Sequence, residues 1–206
     1  MKKEIIGVYG GTFSPPHLGH YYALRAFIAQ ERPDKTLVIP AGIPPHKQQS
    51  EGVTAAERVA MCRLAFADLP AEIDEREIRR GGVSYTSDTL LSLSSPSRRL
   101  LLLCGTDMFL SLESWHLPEL IFKLSEIVYV LREGDGGEND PTRLAAESKA
   151  NEYATHYGAI IRRVLCAPFA DSSTDVRRMI AAGENTDALL SPDVRRYIDQ
   201  CHLYQT

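Results

Sequence analysis

The chain is poor in cysteine and tryptophan, has no surplus of positive charge, and contains no long apolar run. Its four cysteines, Cys62, Cys104, Cys166 and Cys201, stand far apart and form no C-x-x-C. That spacing spells neither a disulfide framework nor a thiolate zinc site, and we read them as reduced thiols. Met1-Lys2-Lys3 is basic, but the apolar run behind it is too short for an export signal, so a cytoplasmic location is expected. No segment approaches the roughly 20 apolar residues that span a membrane, and no membrane partner is expected. Lysine and arginine number 23 against 27 acids, a net charge of -4. No general basic field therefore draws in a polyanion, and no nucleic-acid partner is expected. With 206 residues, no repeat and no low-complexity tract, the chain suits a single buried core.

What is present is concentrated near the amino end. Ile5 to Tyr9 reads as a buried strand, and Tyr21 to Gln30 carries Leu24, Phe27 and Ile28 at helical spacing. Between them runs Gly10-Gly11-Thr12-Phe13-Ser14-Pro15-Pro16-His17-Leu18-Gly19-His20. A strand, a glycine turn and a helix start aim backbone N–H groups and a helix dipole at the turn, whose natural occupant is an anion. Gly10 and Gly11 let a ligand approach the backbone, Thr12 offers a hydroxyl, and the two prolines stiffen the loop. His17 and His20 fall on one helical face and can donate to a polyphosphate. Two plainer readings exist for this pair. A metal site lacks a third ligand at useful spacing, so none is expected, and the imidazoles could simply cap the helix.

The string Gly10 to His20 resembles the G-G-T-F-D-P-P-H-x-G-H signature of the nucleotidylyltransferases, in particular the bacterial nicotinate mononucleotide adenylyltransferases. Ser14 stands where that family usually has Asp. The resemblance implies ATP binding by Gly10, Gly11, Thr12, Phe13, His17 and His20, and it extends along nearly the whole chain. Pro44-Pro45-His46-Lys47 reads by composition as a surface loop. The resemblance makes it a second signature, with Lys47 near a substrate phosphate and His46 near a ribose.

Thr54 and Glu57 form a capping box for a helix reaching Ala67. Ala71 to Arg80 reads as a short strand and a charged turn. Ser84-Tyr85-Thr86 leads into a helix around Leu90, Leu91 and Leu93, with Thr86 or Ser87 as its cap. The resemblance adds that backbone N–H groups of Tyr85 and Thr86 hold a nicotinate carboxylate. Leu100 to Leu103 is a central strand buried on both faces, followed by Gly105-Thr106-Asp107. Asp107 can accept ribose hydroxyls there or cap a helix. Trp115, the single tryptophan, is a core residue on size alone, whereas the resemblance has it stacking on a pyridine ring.

Glu126 to Leu131 and Ile160 to Leu165 are further strands, separated by a polar helix that opens at Asp140-Pro141. By resemblance Arg132, at the end of the first of these, contacts a phosphate of the mononucleotide. Ser172-Ser173-Thr174 and Arg177 open a helix that stops at Gly183, a run that can be only a cap. It resembles the family's I-S-S-T-x-I-R motif, which implies triphosphate binding, with Asp171 replacing an apolar residue. A last helix starts at Ser191-Pro192.

The expected fold is α/β, a Rossmann-like parallel sheet with helices on both faces in one domain. The resemblance implies adenylyl transfer from ATP to nicotinate mononucleotide, with His17, His20, Lys47 and Arg177 as the reactive centre. Mg²⁺ would be carried with ATP. A sister adenylyl- or cytidylyltransferase would share the H-x-G-H loop but has no reason for P-P-H-K, S-Y-T and the spaced tryptophan. A non-catalytic nucleotide sensor is the alternative from another class. Oligomeric state is not legible.

Overall fold

The computed structural model describes residues 2–45, 52–132, 140–167, 169 and 172–205. Six strands form one sheet: Glu4–Gly11 (β1), Lys35–Pro40 (β2), Glu72–Ile73 (β3), Arg98–Cys104 (β4), Ser125–Arg132 (β5) and Ile161–Cys166 (β6). All pairings are parallel, and the order is β3-β2-β1-β4-β5-β6. The Rossmann-like arrangement expected from the alternation of strands and helices is what the chain adopts.

Strand periodicity divides the core in two. Leu101 and Leu103 of β4 join Tyr9, Val38, Val128 and Val164 on one face, where Leu24 and Phe27 of helix Leu18–Glu31 (α1) cover them. Helices Ala55–Ala65 (α2), Ser173–Ala181 (α8) and Pro192–Gln200 (α9) complete that layer through Met61, Val176 and Val194. Leu100, Leu102 and Cys104 point the other way, with Ile6, Val8, Ile39 and Ile127. Over them lie helices Thr86–Leu93 (α4), Thr106–Leu110 (α5), Pro118–Leu124 (α6) and Pro141–Tyr157 (α7), through Leu90, Phe109, Ile121 and Tyr153. Successive strand residues face opposite sides, so the run Leu100 to Leu103 serves both layers. Each large side chain so buried contributes about 1.5–3 kcal/mol.

The sequence also misleads in places. The charged stretch after β3 is helical, Arg76–Arg80 (α3). Asp74 organises it by accepting from the Arg76 backbone N–H at 2.9 Å and from its guanidinium at 2.6 and 2.8 Å. Neither Thr86 nor Ser87 caps α4. Tyr85 occupies the cap position and gives no side-chain bond, while Ser87 is wholly buried. Helix α1 starts three residues earlier than its apolar spacing indicates, because His17 caps it.

The chain leaves β1 toward β2 on one side and returns through β4 on the other. Such a reversal opens a crevice beyond the carboxyl ends of the two central strands, where α/β sheets take ligands. Gly10 and Gly11 end β1, and Cys104 ends β4, at that crevice. Among the described residues no helix is long and apolar enough to cross a membrane.

Candidate active site

The loop after β1 is built from inside. Phe13 takes a left-handed backbone, φ 50°, and turns its ring into the core. There it meets Tyr9, His20 and Phe66 edge-on at centroid distances of 5.4, 5.1 and 5.9 Å. Of Phe13, only the main chain remains to meet a ligand. Gly10 is exposed, and a Cβ added to it would meet nothing within 4 Å.

The two histidines take the capping reading of the H-x-x-H pair. His17 is the cap of α1, and its Nδ1 accepts the Gly19 N–H at 3.1 Å. His20 reaches back so that its Nδ1 accepts the His17 N–H at 3.2 Å. These bonds close a capping box and bring the ring centroids within 3.8 Å. With Nδ1 accepting in each neutral ring, the proton resides on Nε2, which makes Nε2 the donor. Phe169 lies flat on His17 at 4.9 Å, so that imidazole is held between two rings.

The carboxy-terminal motif docks onto the same loop. Ser173 Oγ donates to the Pro15 carbonyl at 3.0 Å, and Arg177 Nη1 donates to the Ser14 carbonyl at 2.8 Å. The Arg177 Nη2 also donates to Thr174 Oγ1 at 3.2 Å. Ser172 caps α8 in a box with Asp175, accepting the Asp175 N–H at 3.3 Å and donating to its carboxylate at 2.6 Å. The Ser172 bonds hold the Asp175 carboxyl below its ordinary range. Two segments about 160 residues apart thus share one crevice, with the amino ends of α1 and α8 both opening on it.

On the other side of the crevice, Ser84 donates its N–H to the Ile43 carbonyl at 2.8 Å, beside a parallel bridge between Ile43 and Val83. Tyr85 packs against His116 with ring centroids 4.1 Å apart and planes tilted by 32°. No side chain caps α4, so Tyr85 and Thr86 stand at an uncapped helix start. Asp107 is exposed in the first turn of α5, whose cap is Gly105, so the capping role is excluded for it. Trp115 is partly buried against the second core layer at the end of a short 3-10 turn, Leu112–Ser114. His46, Lys47 and Asp171 lie outside the described residues, as does the side chain of Arg132, whose backbone ends β5.

Three contributors escaped the sequence. Arg58 is only 3% exposed, and its guanidinium donates to the carbonyls of Thr12 at 2.9 Å, Ala41 at 2.6 Å and Gly42 at 3.1 Å. Burial pushes its pKa down. The signal was present: Arg58 shares the apolar stripe of Met61, Cys62 and Ala65 on α2, where a charge needs a reason. Tyr204 gives its hydroxyl to a bond with Ser14 Oγ at 3.0 Å, and burial raises its pKa to about 12. Glu77, 6% exposed, accepts from Thr89 Oγ1 at 2.5 Å and from the Ser84 side chain. Burial raises its pKa against those bonds. Nothing in the charged run around it marks it out.

Among the described residues no three His, Cys, Asp or Glu side chains gather to hold a metal ion. The arrangement offers imidazole and guanidinium donors, helix amino ends and an open glycine edge, a set suited to a polyphosphate.

Comparison with known proteins places the chain in a family. The family model for Cytidylyltransferase-like proteins matches residues 8–179. A curated relative from Albidiferax ferrireducens, named "Probable nicotinate-nucleotide adenylyltransferase", is 36% identical over 204 residues, covering 98% of each chain. One of the same name from Aeromonas salmonicida is 38% identical over 216 residues, covering 100% of this chain and 99% of its own. The fold matches that of a Plasmodium falciparum nicotinic acid mononucleotide adenylyltransferase complexed with NaAD. The TM-score there is 0.78 at 15% identity, over 98% of this chain and 97% of that one. A glycine loop, an H-x-G-H helix cap and a docked serine-arginine helix start, in a chain related over its full length, make this protein a member of the cytidylyltransferase-like family and, within it, of the nicotinate-nucleotide adenylyltransferases.

Proposed function

We propose that the chain transfers the adenylyl group of ATP to nicotinate mononucleotide, giving nicotinic acid adenine dinucleotide and pyrophosphate. A phosphate oxygen of the mononucleotide attacks the α-phosphorus of ATP in line. The α–β bridging bond breaks, and its electron pair leaves with pyrophosphate. The observation that carries this reading is the docking of Ser173 and Arg177 onto the loop that holds His17 and His20.

In this reading Gly10, Gly11 and the Thr12 to Phe13 backbone border the nucleotide. The Nε2–H groups of His17 and His20 donate to oxygens whose charge grows as the bridge breaks. Arg177, with Ser172, Ser173 and Thr174 at the α8 start, holds the departing phosphates. Lys47 and Arg132 steady the incoming phosphate, and His46 and Asp107 meet its ribose. Tyr85, Thr86 and Trp115 take the pyridine end. No side chain in these motifs is paired as an activated nucleophile with its base, so the transfer is direct, without a covalent enzyme intermediate. The work is alignment and charge neutralisation. Mg²⁺ carried with ATP would offset the charge of the phosphates that Arg177 and the α8 start hold.

The test is pyrophosphate release from ATP when nicotinate mononucleotide is added, run beside nicotinamide mononucleotide, phosphopantetheine and CTP in place of ATP. We expect the acid mononucleotide with ATP to give the highest kcat/KM. Equal or better turnover with another pair would overturn the assignment, and no turnover with any pair would favour a nucleotide sensor.

A further inference from the structure

Beneath the crevice runs a line of buried polar contacts that no role above uses. It begins at Thr12 in the glycine loop, whose carbonyl accepts from Arg58 Nη1 at 2.9 Å. The same guanidinium, through Nη2, holds the carbonyls of Ala41 and Gly42 at the end of β2. The Gly42 N–H then donates to Ser84 Oγ at 2.8 Å. The Ser84 hydroxyl in turn faces the Glu77 carboxylate and helps to stabilise its charge, and Glu77 also accepts from the Thr89 hydroxyl at 2.5 Å. Thr89 sits one turn inside α4, the helix that starts at Tyr85 and Thr86. The line therefore begins at the triphosphate side and ends at the pyridine side.

Its members are enclosed: Arg58 is 3%, Glu77 6%, Ser84 7% and Thr89 2% exposed. Among the described residues Arg58 Nε has no hydrogen-bond partner, and the guanidinium is held by carbonyl dipoles. A methionine or leucine at position 58 would fill α2 at less desolvation cost. Gly42 is the crossing point, and the packing there is close. A Cβ on it would lie 3.0 Å from the Glu77 carbonyl and 3.3 Å from Ser84 Oγ. Buried contacts packed this closely around the Gly42 peptide fix one separation between the loops they join.

We propose that Arg58, Ser84 and Glu77 are positioning residues that set the distance between the α-phosphorus of ATP and the attacking phosphate, by tying both binding loops to the Gly42 peptide. The inference rests on the adenylyl-transfer reading. Each half of the site keeps its own ligand contacts when the line is cut, so binding of each substrate alone survives. Their mutual alignment does not, and a misplacement of about 1 Å costs on the order of 10²-fold in rate.

The experiment uses the full chain with Ser84→Ala, Glu77→Ala, the pair together, Glu77→Gln and Arg58→Lys. Steady-state kinetics are joined to calorimetric dissociation constants for ATP and for nicotinate mononucleotide separately. We expect Ser84→Ala and Glu77→Ala each to lower kcat by about 10- to 100-fold, with both dissociation constants within about threefold of wild type. The double variant should be no slower than the worse single one, since either change cuts the same line. Glu77→Gln, which keeps an acceptor, should recover most of the loss. A variant that raises one KM at unchanged kcat, or additive losses in the pair, would overturn the proposal. Should the alanine variants melt below the assay temperature, Arg58→Lys decides: a lowered kcat at wild-type KM supports the proposal and a wild-type kcat refutes it. Absence of turnover in the wild-type chain is a separate result, which defeats the functional reading first.

Discussion

Gly19→Ala is the sharpest perturbation the site permits. The residue lies in the first turn of α1, where replacing glycine by alanine ordinarily stabilises a helix by about 1 kcal/mol. Here a Cβ would fall 2.5 Å from Phe169 Cδ1 and 2.9 Å from both Cε1 and Nδ1 of His17. Ordinary carbon contacts lie near 3.5–4.0 Å, so the His17 ring has to move by roughly half an ångström or more. It cannot slide freely, because His20 lies 3.8 Å away on one side and Phe169 4.9 Å on the other. Crowding of this kind costs about 1–3 kcal/mol, which offsets the helix gain and leaves a net loss of about 0–2 kcal/mol. Turnover should suffer more than stability, falling about 10- to 100-fold as the Nε2 donor leaves its position. Gly10→Ala is the control: its Cβ meets nothing in the protein, so the fold should be intact while the KM for ATP rises. Thermal melts and pyrophosphate-release kinetics on both variants make the comparison. A folded Gly19→Ala chain with wild-type kcat would show that the place of the His17 ring does not govern turnover.

Two further outcomes follow from the charges. Glu126 joins β4 to β6 by accepting from Arg99 and, at 2.8 Å, from Arg162. Burial alone would raise its pKa, but the two guanidinium groups prevail and hold it below the ordinary value. A depressed folded pKa gives stability that is complete above the unfolded value of about 4.3 and is lost as pH falls through the folded one. Glu126→Gln should therefore lower the melting temperature at neutral pH, and the gap to wild type should close in acid; a gap that widens in acid would contradict this. Removing divalent cations with a chelator should abolish pyrophosphate release while leaving the melting temperature of the substrate-free chain unchanged, because the ion belongs to the ATP complex; a fall in that melting temperature would point to a resident metal.

The legible parts of the molecule were those written in short-range chemistry. Leu100 to Leu103 announced a doubly buried strand, and Thr54 with Glu57 announced the start of α2 through bonds of 2.7 and 3.2 Å. The glycine loop and the Ser172 to Arg177 segment were visible as anion-binding strings for the same reason: glycine, hydroxyls and a helix start lie within one turn of each other. Long-range partners were not visible. Ser14 meets Tyr204 across 190 residues because α9 packs on the same face as α1, and no local pattern encodes that meeting. The charged run holding Glu77 resembles any solvated turn until Thr89 and Ser84 close over it. Arg58 was the readable exception, a cation placed on an apolar stripe. Thr86 and Ser87 misled because a hydroxyl near a helix start usually caps it, whereas here that start faces the crevice uncapped.

In the proposed reaction one triphosphate is held jointly by the first loop and the start of α8. Calorimetric titration of ATP and of AMP, into the wild-type chain and into Arg177→Ala, addresses this directly. Wild type should bind ATP at least about tenfold more tightly than AMP, a difference of about 1.4 kcal/mol or more, and the variant should bring the two within about threefold. Equal wild-type affinities, or a ratio untouched by loss of the guanidinium, would contradict it.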